Sequence, residues 1–340
     1  MTKQQNSVFL SKFCSVEIEI QKLLCLMQKR RRADEKNTFA VERFKKNRIK
    51  WLMLVPAAVA VILMCYIPMT GIVLAFKEFN YQDGIFGSPW IGLANFSYFF
   101  KSGKAWSITR NTILYNLAFL AVNTFFQITC AILLSELAHK HFKRITQSLM
   151  FLPYFISWVV VGAFVYNMFN YEFGAVNTLL RQLGLHSVDI YSNPKAWIPI
   201  LIGASLLKNL GYGTVMYLAS VVNIDDQLYE AADVDGATMW QKIWNITLPC
   251  IRPTMVILIL LSIGTIMKGD FQMFWQVTGN NPMTLEVTDV IDTYVTRSLL
   301  YLQEFGMTSA AGLYQSVFSF ILIMLANYAV KKVEPDYTLF

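Results

Sequence analysis

Apolar residues run along this chain in long unbroken stretches, without the alternation of a half-buried strand or the narrow stripe of a surface helix. Against the ~20 residues that cross a bilayer core, six stretches qualify: 51–76, 108–134, 149–169, 196–222, 251–267 and 310–330. They predict an all-α integral membrane protein with about six transmembrane helices. The first stretch begins fifty residues in, is too long for the apolar region of a signal peptide and lacks a cleavage site, so it reads as a retained helix. Pro56 and Pro68 inside it predict kinks, which a membrane helix tolerates where neighbours satisfy the freed backbone groups.

Composition narrows the class further. Hydrophobic residues make up 55% and charged residues 15%, against about 25% charged in a typical soluble domain. That balance speaks against a disordered chain, a nucleic-acid-coating chain or a water-soluble enzyme. The net charge of +7 is local: residues 1–50 carry 13 Lys/Arg against 5 Asp/Glu, and residues 51–340 carry 16 against 17. The basic excess, with Lys29, Arg30, Arg31, Arg32, Lys45, Lys46, Arg48 and Lys50, precedes the first apolar run, where positive residues mark the cytoplasmic side of a membrane. Membrane lipid is therefore an expected partner and nucleic acid is not. Three divisions follow: a basic cytoplasmic tail over 1–50, a transmembrane domain over 51–330 and a cytoplasmic tail over 331–340. Six spans return both termini to the cytoplasm, with Lys140, Lys143 and Arg144 in an inside loop and 77–106 outside. Over 1–26, two readings stand: an overextended start, with Met27 opening a sensible one, or an amphipathic helix on the membrane surface. Five scattered cysteines without CxxC spacing predict neither a disulfide framework nor a zinc site, and the three histidines form no catalytic set.

One inside loop departs from the charge pattern. Residues 223–250 hold Asp225, Asp226, Glu230, Asp233 and Asp235 against Lys242. Asp225 or Asp226 can cap a short helix, Gly236 can turn the chain, and a second helix from Ala237 to Asn245 presents Met239, Trp240, Ile243 and Trp244 as an apolar stripe. Pro249 is expected to stop that helix before the fifth span. The result is a helix-turn-helix suited to docking in a groove of a soluble partner.

At this loop the sequence resembles the permease subunits of binding-protein-dependent ABC importers. Glu230, Ala231, Ala232, Gly236, Ile246, Leu248 and Pro249 match the family's Glu-Ala-Ala loop with its spacing intact. By resemblance, the loop is the coupling helix that sits in a cleft of an ATPase subunit. Tyr66-Ile67-Pro68-Met69, Ala75-Phe76-Lys77, the segment from Trp90 to Phe96, and Phe151-Leu152-Pro153-Tyr154 are similar to the maltose-type carbohydrate branch, its polysaccharide and oligosaccharide members above all. The resemblance covers roughly 45–335. It implies a complex of two different permeases, two ATPase subunits and an extracytoplasmic solute-binding protein, placed in the bacterial cytoplasmic (inner) membrane. No GxxxxGK[ST] phosphate loop occurs in the chain, so ATP and magnesium are expected on partner subunits, with no cofactor bound here and no catalytic residue.

Charged residues inside spans default to a functional reading. Lys208 lies mid-span, with Leu201, Ser205, Tyr212 and Met216 on its face. Lys208 and Asn209 are candidates to donate hydrogen bonds to sugar hydroxyls or a uronate, with Tyr212 or Tyr217 as a stacking face; alternatively Lys208 pairs with an acid on the partner permease. Lys268 and Asp270 form a second candidate cluster, lining an outer cavity or belonging to an interfacial belt. Glu286, Asp289 and Asp292 recur every three residues; a calcium site is one reading but lacks the loop spacing such sites need, and a solvated helix face that meets the binding protein is the favoured one. The leading function is passage of an oligosaccharide, uronate-containing chains included, coupled to a partner's ATP hydrolysis. A membrane glycosyltransferase and a non-transporting signalling subunit are the alternatives.

Overall fold

The computed structural model describes residues 48–137 and 139–333. The tail expected over 1–50, with its two cysteines, lies outside them up to residue 47, as do 334–340. Contacts divide the chain into one unit up to Thr70 and a second from Gly71 onward.

The first span, α1 (Leu52–Phe76), is apolar all round, with a mean hydropathy of 2.4. It is α-helical to Val61, widens into a π-turn at Ile62–Tyr66 and tightens into a 3₁₀ turn at Thr70–Phe76. The π-turn has a local cause. A proline in a helix removes one donor and its ring collides with the carbonyl four residues back. For Pro68 that carbonyl belongs to Met64, the middle of the π-turn, where a wider turn moves it aside.

In the second unit the elements that position the site are α2 (Ala94–Lys101), α3 (Ala105–Ser135), α4 (Lys140–Phe151), α5 (Trp158–Phe169), α6 (Ala175–Gln182) and α7 (Trp197–Val222). They continue with α8 (Asp226–Val234), α9 (Met239–Gly264), α10 (Phe271–Thr278), α11 (Ile291–Arg297) and α12 (Phe305–Val333). Among the described residues, five helices are long and apolar enough to cross a membrane, or six if one bent pair counts as a span.

That bent pair corrects the third expected span. Residues 149–169 are not one helix: Lys140–Phe155 and Trp158–Phe169 meet at 94°. Pro153 shapes the 3₁₀ turn Leu152–Phe155, and Ser157 starts α5 afresh by accepting from the Val160 N–H at 3.4 Å. At 1.5 Å per residue, the twelve residues of α5 reach only ~18 Å.

The fifth span also differs from expectation. Pro249 does not stop the preceding helix: α9 runs unbroken from Met239 to Gly264, with a π-turn at Ile243–Thr247. The carbonyl that the Pro249 ring would strike is that of Asn245, again the centre of the wider turn.

Helices α3 and α7 form the spine of the second unit and run parallel. Asn123 Nδ2 donates to Ser205 Oγ at 3.2 Å, and four residues on, Gln127 Nε2 donates to the Asn209 carbonyl at 3.0 Å. Small residues let other elements close on the spine: a Cβ on Gly211 would lie 2.0 Å from the Met150 carbonyl oxygen, and one on Gly162 2.3 Å from that of Gln276. Packing separates into three apolar clusters. One gathers Trp158, Trp197, Leu201 and Phe274; one Phe99, Ile108, Met267 and Ile291; one Ala131, Tyr217, Val221 and Ile251. The segment from Trp90 to Phe96 owes its order to Asn95, whose buried Nδ2 donates to the carbonyls of Leu74, Ala75 and Lys77.

Candidate functional site

The acidic loop folds as a compact hook between α7 and α9. Asp225 caps α8 by accepting from the Gln227 N–H at 3.0 Å. Gly236 follows at φ +73°, in the left-handed region that glycine enters without penalty. Its N–H donates to the Asp233 carbonyl, and that of Ala237 to the Ala232 carbonyl at 2.9 Å, the paired bonds of a Schellman stop. Thr238 then caps α9, accepting from the Gln241 N–H while Gln241 Oε1 accepts from the Thr238 N–H. Two contacts that sequence reasoning missed pin the arms together: Tyr229 to Thr247 between hydroxyls at 2.9 Å, and an ion pair of Lys242 with Asp233.

This frame turns Glu230 and Ala231 outward, half-buries Ala232, and leaves Pro249 exposed with Ile246 and Leu248 half-buried. Leu248 packs on the cluster of Tyr217 and Ile251. Val234 is 89% exposed, Trp240 71% and Trp244 66%. Trp240 and Trp244 stand one turn apart on α9 and share a face. The hook thus offers a carboxylate and a broad apolar ridge without help from the rest of the fold.

Further along, α3, α7 and α9 enclose an open cavity of about 780 Å³. Of the candidate path residues, Asn209, Tyr212, Tyr217 and Asp270 line it. Asn116, Asn123 and Gln127 of α3 also line it and were missed. Their signal was available: polar residues at i, i+7 and i+11 along an otherwise apolar run mark one helical face. Tyr212 stacks on Tyr154 with ring centroids 5.0 Å apart and planes 13° from parallel.

Lys208 and Lys268 do not line the cavity. The Lys208 ammonium donates to the carbonyls of Tyr154 (3.2 Å) and Ile156 and lies 5.0 Å from the Trp158 ring centroid. These carbonyls lost their helical partners where the third span breaks, and a cation from α7 satisfies them. Neither a sugar nor an acid of a second permease is needed to explain it. Lys268 is exposed, its carbonyl accepting from Asn116 at 3.1 Å. Asp270 caps α10, accepting from the Met273 N–H at 3.0 Å.

The acids at 286, 289 and 292 depart from the expected solvated face, because the helix breaks between Thr288 and Ile291. Glu286 is exposed, but Asp289 is buried against Arg297 at 2.5 Å and Thr293 at 2.7 Å. Asp292 accepts from the Gly269 N–H at 2.6 Å and from Gln315 at 2.9 Å. Burial pushes both carboxyls above the usual carboxylate range. Among the described residues, no group of His, Cys, Asp or Glu is placed to hold a metal.

Comparison with known proteins sets this geometry in context. Residues 127–335 match the family model described as binding-protein-dependent transport system inner membrane component. The chain is 32% identical over 294 residues to protein LplB of Bacillus subtilis (strain 168), covering 86% of this chain and 91% of that one. It is also 32% identical to the polygalacturonan/rhamnogalacturonan transport system permease protein YteP of the same organism, covering 88% and 92%. Its fold is similar to a chain in the crystal structure of a bacterial alginate ABC transporter in complex with alginate pentasaccharide-bound periplasmic protein. There the TM-score is 0.79 and the identity 30%, over 86% of this chain and 98% of that one.

Proposed function

The chain belongs to the family of binding-protein-dependent transport system inner membrane components, and from that premise we propose that it is the permease subunit of an ABC importer carrying an oligosaccharide across the bacterial cytoplasmic membrane. Its partners are a second permease, two ATPase subunits and an extracytoplasmic solute-binding protein. ATP and magnesium sit on the ATPase subunits, and this chain supplies no catalytic group. Both termini and the hook at 223–250 face the cytoplasm.

The observation that carries this reading is that the family's seven loop positions fall on an exposed, internally braced hook at one end of α9, whose other end walls the cavity. Glu230 and the ridge of Val234, Trp240 and Trp244 engage a cleft on the ATPase. Closure of the ATPase pair shifts the population between two states of the bundle. The carboxamides, hydroxyls and stacked Tyr212 suit a sugar, which offers hydroxyl groups along its edges and flat C–H faces.

The test is uptake of labelled oligosaccharide by proteoliposomes holding the four-subunit complex and its binding protein. ATP-dependent accumulation that needs this chain is the expected result. Product formation from a sugar donor by this chain alone would instead establish the glycosyltransferase alternative.

A further inference from the structure

The cavity's hydrogen-bonding groups lean towards acceptors. Each of its four side-chain carboxamides already spends its NH₂ group on the protein. Asn116 Nδ2 donates to the carbonyls of Thr112, Ile266 and Lys268 at 2.9–3.1 Å. Gln127 donates to the Asn209 carbonyl, Asn209 to the Ser205 carbonyl at 3.0 Å, and Asn123 to Ser205 Oγ. Three of these four groups meet carbonyl oxygens, which fixes the amide orientation, since a carbonyl accepts only from the NH₂ end. The oxygens of Asn116, Gln127 and Asn209 remain as acceptors, whereas Asn123 Oδ1 is shielded by the protein and has no partner there.

Two of the lining hydroxyls behave in the same way, while those of Ser205 and Tyr212 keep a proton to offer. Ser262 donates to the Leu258 carbonyl and Thr265 to the Ser262 carbonyl. Asp270 adds a carboxylate to the wall, and among the described residues no lysine or arginine lines the cavity. Lys208, one residue from Asn209, is turned to the broken span instead.

We propose that this chain's wall of the cavity selects uncharged sugar units and disfavours uronates, a specificity that rests on the oligosaccharide reading above. A sugar hydroxyl donates as well as accepts, so a neutral sugar meets the carboxamide oxygens and Asp270 with donors. A uronate carboxylate only accepts. In this wall it meets the carboxamide oxygens and the like charge of Asp270, an exposed carboxylate that repels it in a salt-dependent way. Among the described lining residues, Asp270 is the one charged side chain. Asparagine serves equally well as a helix cap, so Asp270→Asn removes the charge while keeping the start of α10.

The experiment measures binding of two probes, cellotetraose and tetragalacturonate, to the complete transporter in nanodiscs by saturation-transfer NMR, without the solute-binding protein. The expected result is cellotetraose binding at least roughly tenfold tighter than tetragalacturonate, with Asp270→Asn narrowing the gap several-fold by strengthening galacturonate alone. If that variant does not assemble, the wild type still decides. Raising salt from 50 to 500 mM shortens the screening length roughly threefold, and is expected to strengthen tetragalacturonate binding while leaving cellotetraose unchanged. Galacturonate binding as tight as cellotetraose in the wild type, or a gap indifferent to both Asp270→Asn and salt, overturns the proposal. Binding of neither probe overturns the oligosaccharide reading itself.

Discussion

Replacing Lys208 by methionine tests the structural account of the broken third span. Methionine keeps the length and much of the apolar stem of lysine but deletes the ammonium, and with it the donors that Tyr154 and Ile156 present their carbonyls to. A hydrogen bond from a charged donor contributes about 1.5–3 kcal/mol, and the cation over the Trp158 ring adds about 0.5–2 kcal/mol. Against this stands the cost of holding an ammonium half-buried, which the substitution relieves. A net loss of about 2–4 kcal/mol follows, smaller than the gross sum because desolvation offsets part of it. For a chain of 340 residues that corresponds to a fall in melting temperature of roughly 3–6 °C, read as thermal unfolding of the purified complex in nanodiscs. Lys208→Arg, which keeps the charge and its donors, should recover part of the loss. Wild-type stability in Lys208→Met, together with altered preference between neutral and acidic sugars, would refute the reasoning and return Lys208 to the substrate path.

Three further outcomes follow from the geometry. Gly211→Ala drives a Cβ to 2.0 Å from the Met150 carbonyl oxygen, so it should separate α4 from α7 and destabilise the complex by about 1–3 kcal/mol, whereas Gly203→Ala, whose Cβ meets nothing within 4 Å, should be tolerated in the same melt. Gly236→Val puts a β-branched residue at φ +73° but into open space, costing about 1–2 kcal/mol locally; proteoliposome uptake should be lost while sugar capture by the binding protein is retained. Asp292 has its carboxyl raised in the folded state by burial, against the Gly269, Gln315 and Lys268 contributions that lower it. The folded protein therefore holds this proton more tightly than the unfolded one. The stability it confers is complete below the ordinary value of 3.8 and is lost as pH rises through the raised value. The melting-temperature difference between wild type and Asp292→Asn should thus move in favour of the wild type as pH is lowered from 7 towards 4; an unchanged difference would count against the burial argument.

Much of the molecule was readable from hydropathy and helix punctuation alone. Five spans were visible because lipid demands long apolar runs, and the hook was visible because Asp225 and Gly236 carry a cap and a left-handed turn in their own chemistry. The failures share a different character. Hydropathy runs through residues 149–169 without a dip, so the break at Ile156 hid behind Pro153 and Ser157, two residues that change backbone geometry without changing polarity. Pro249 misled in the opposite sense, because a π-turn upstream absorbs its ring. The role of Lys208 depends on carbonyls 52 and 54 residues earlier, and those of Asp289 and Asp292 on a chain reversal that buries them, so no local pattern announces either.

The continuity of α9 has a mechanical consequence. Its 26 residues span roughly 39 Å, from Trp240 on the hook to Leu261 and Ser262 at the cavity. Ile251, fully buried, grips the helix about midway, eleven residues from Trp240 and eleven from Ser262. Thr247 and Leu260 are buried on either side of it, so the helix is held in the apolar core along its middle while its first turns stand free. A push on the tryptophan end is carried to the serine end through one unbroken helix. The hook and the cavity wall are thus two ends of one element, and damage at Trp240 and at Ser262 should compound other than additively.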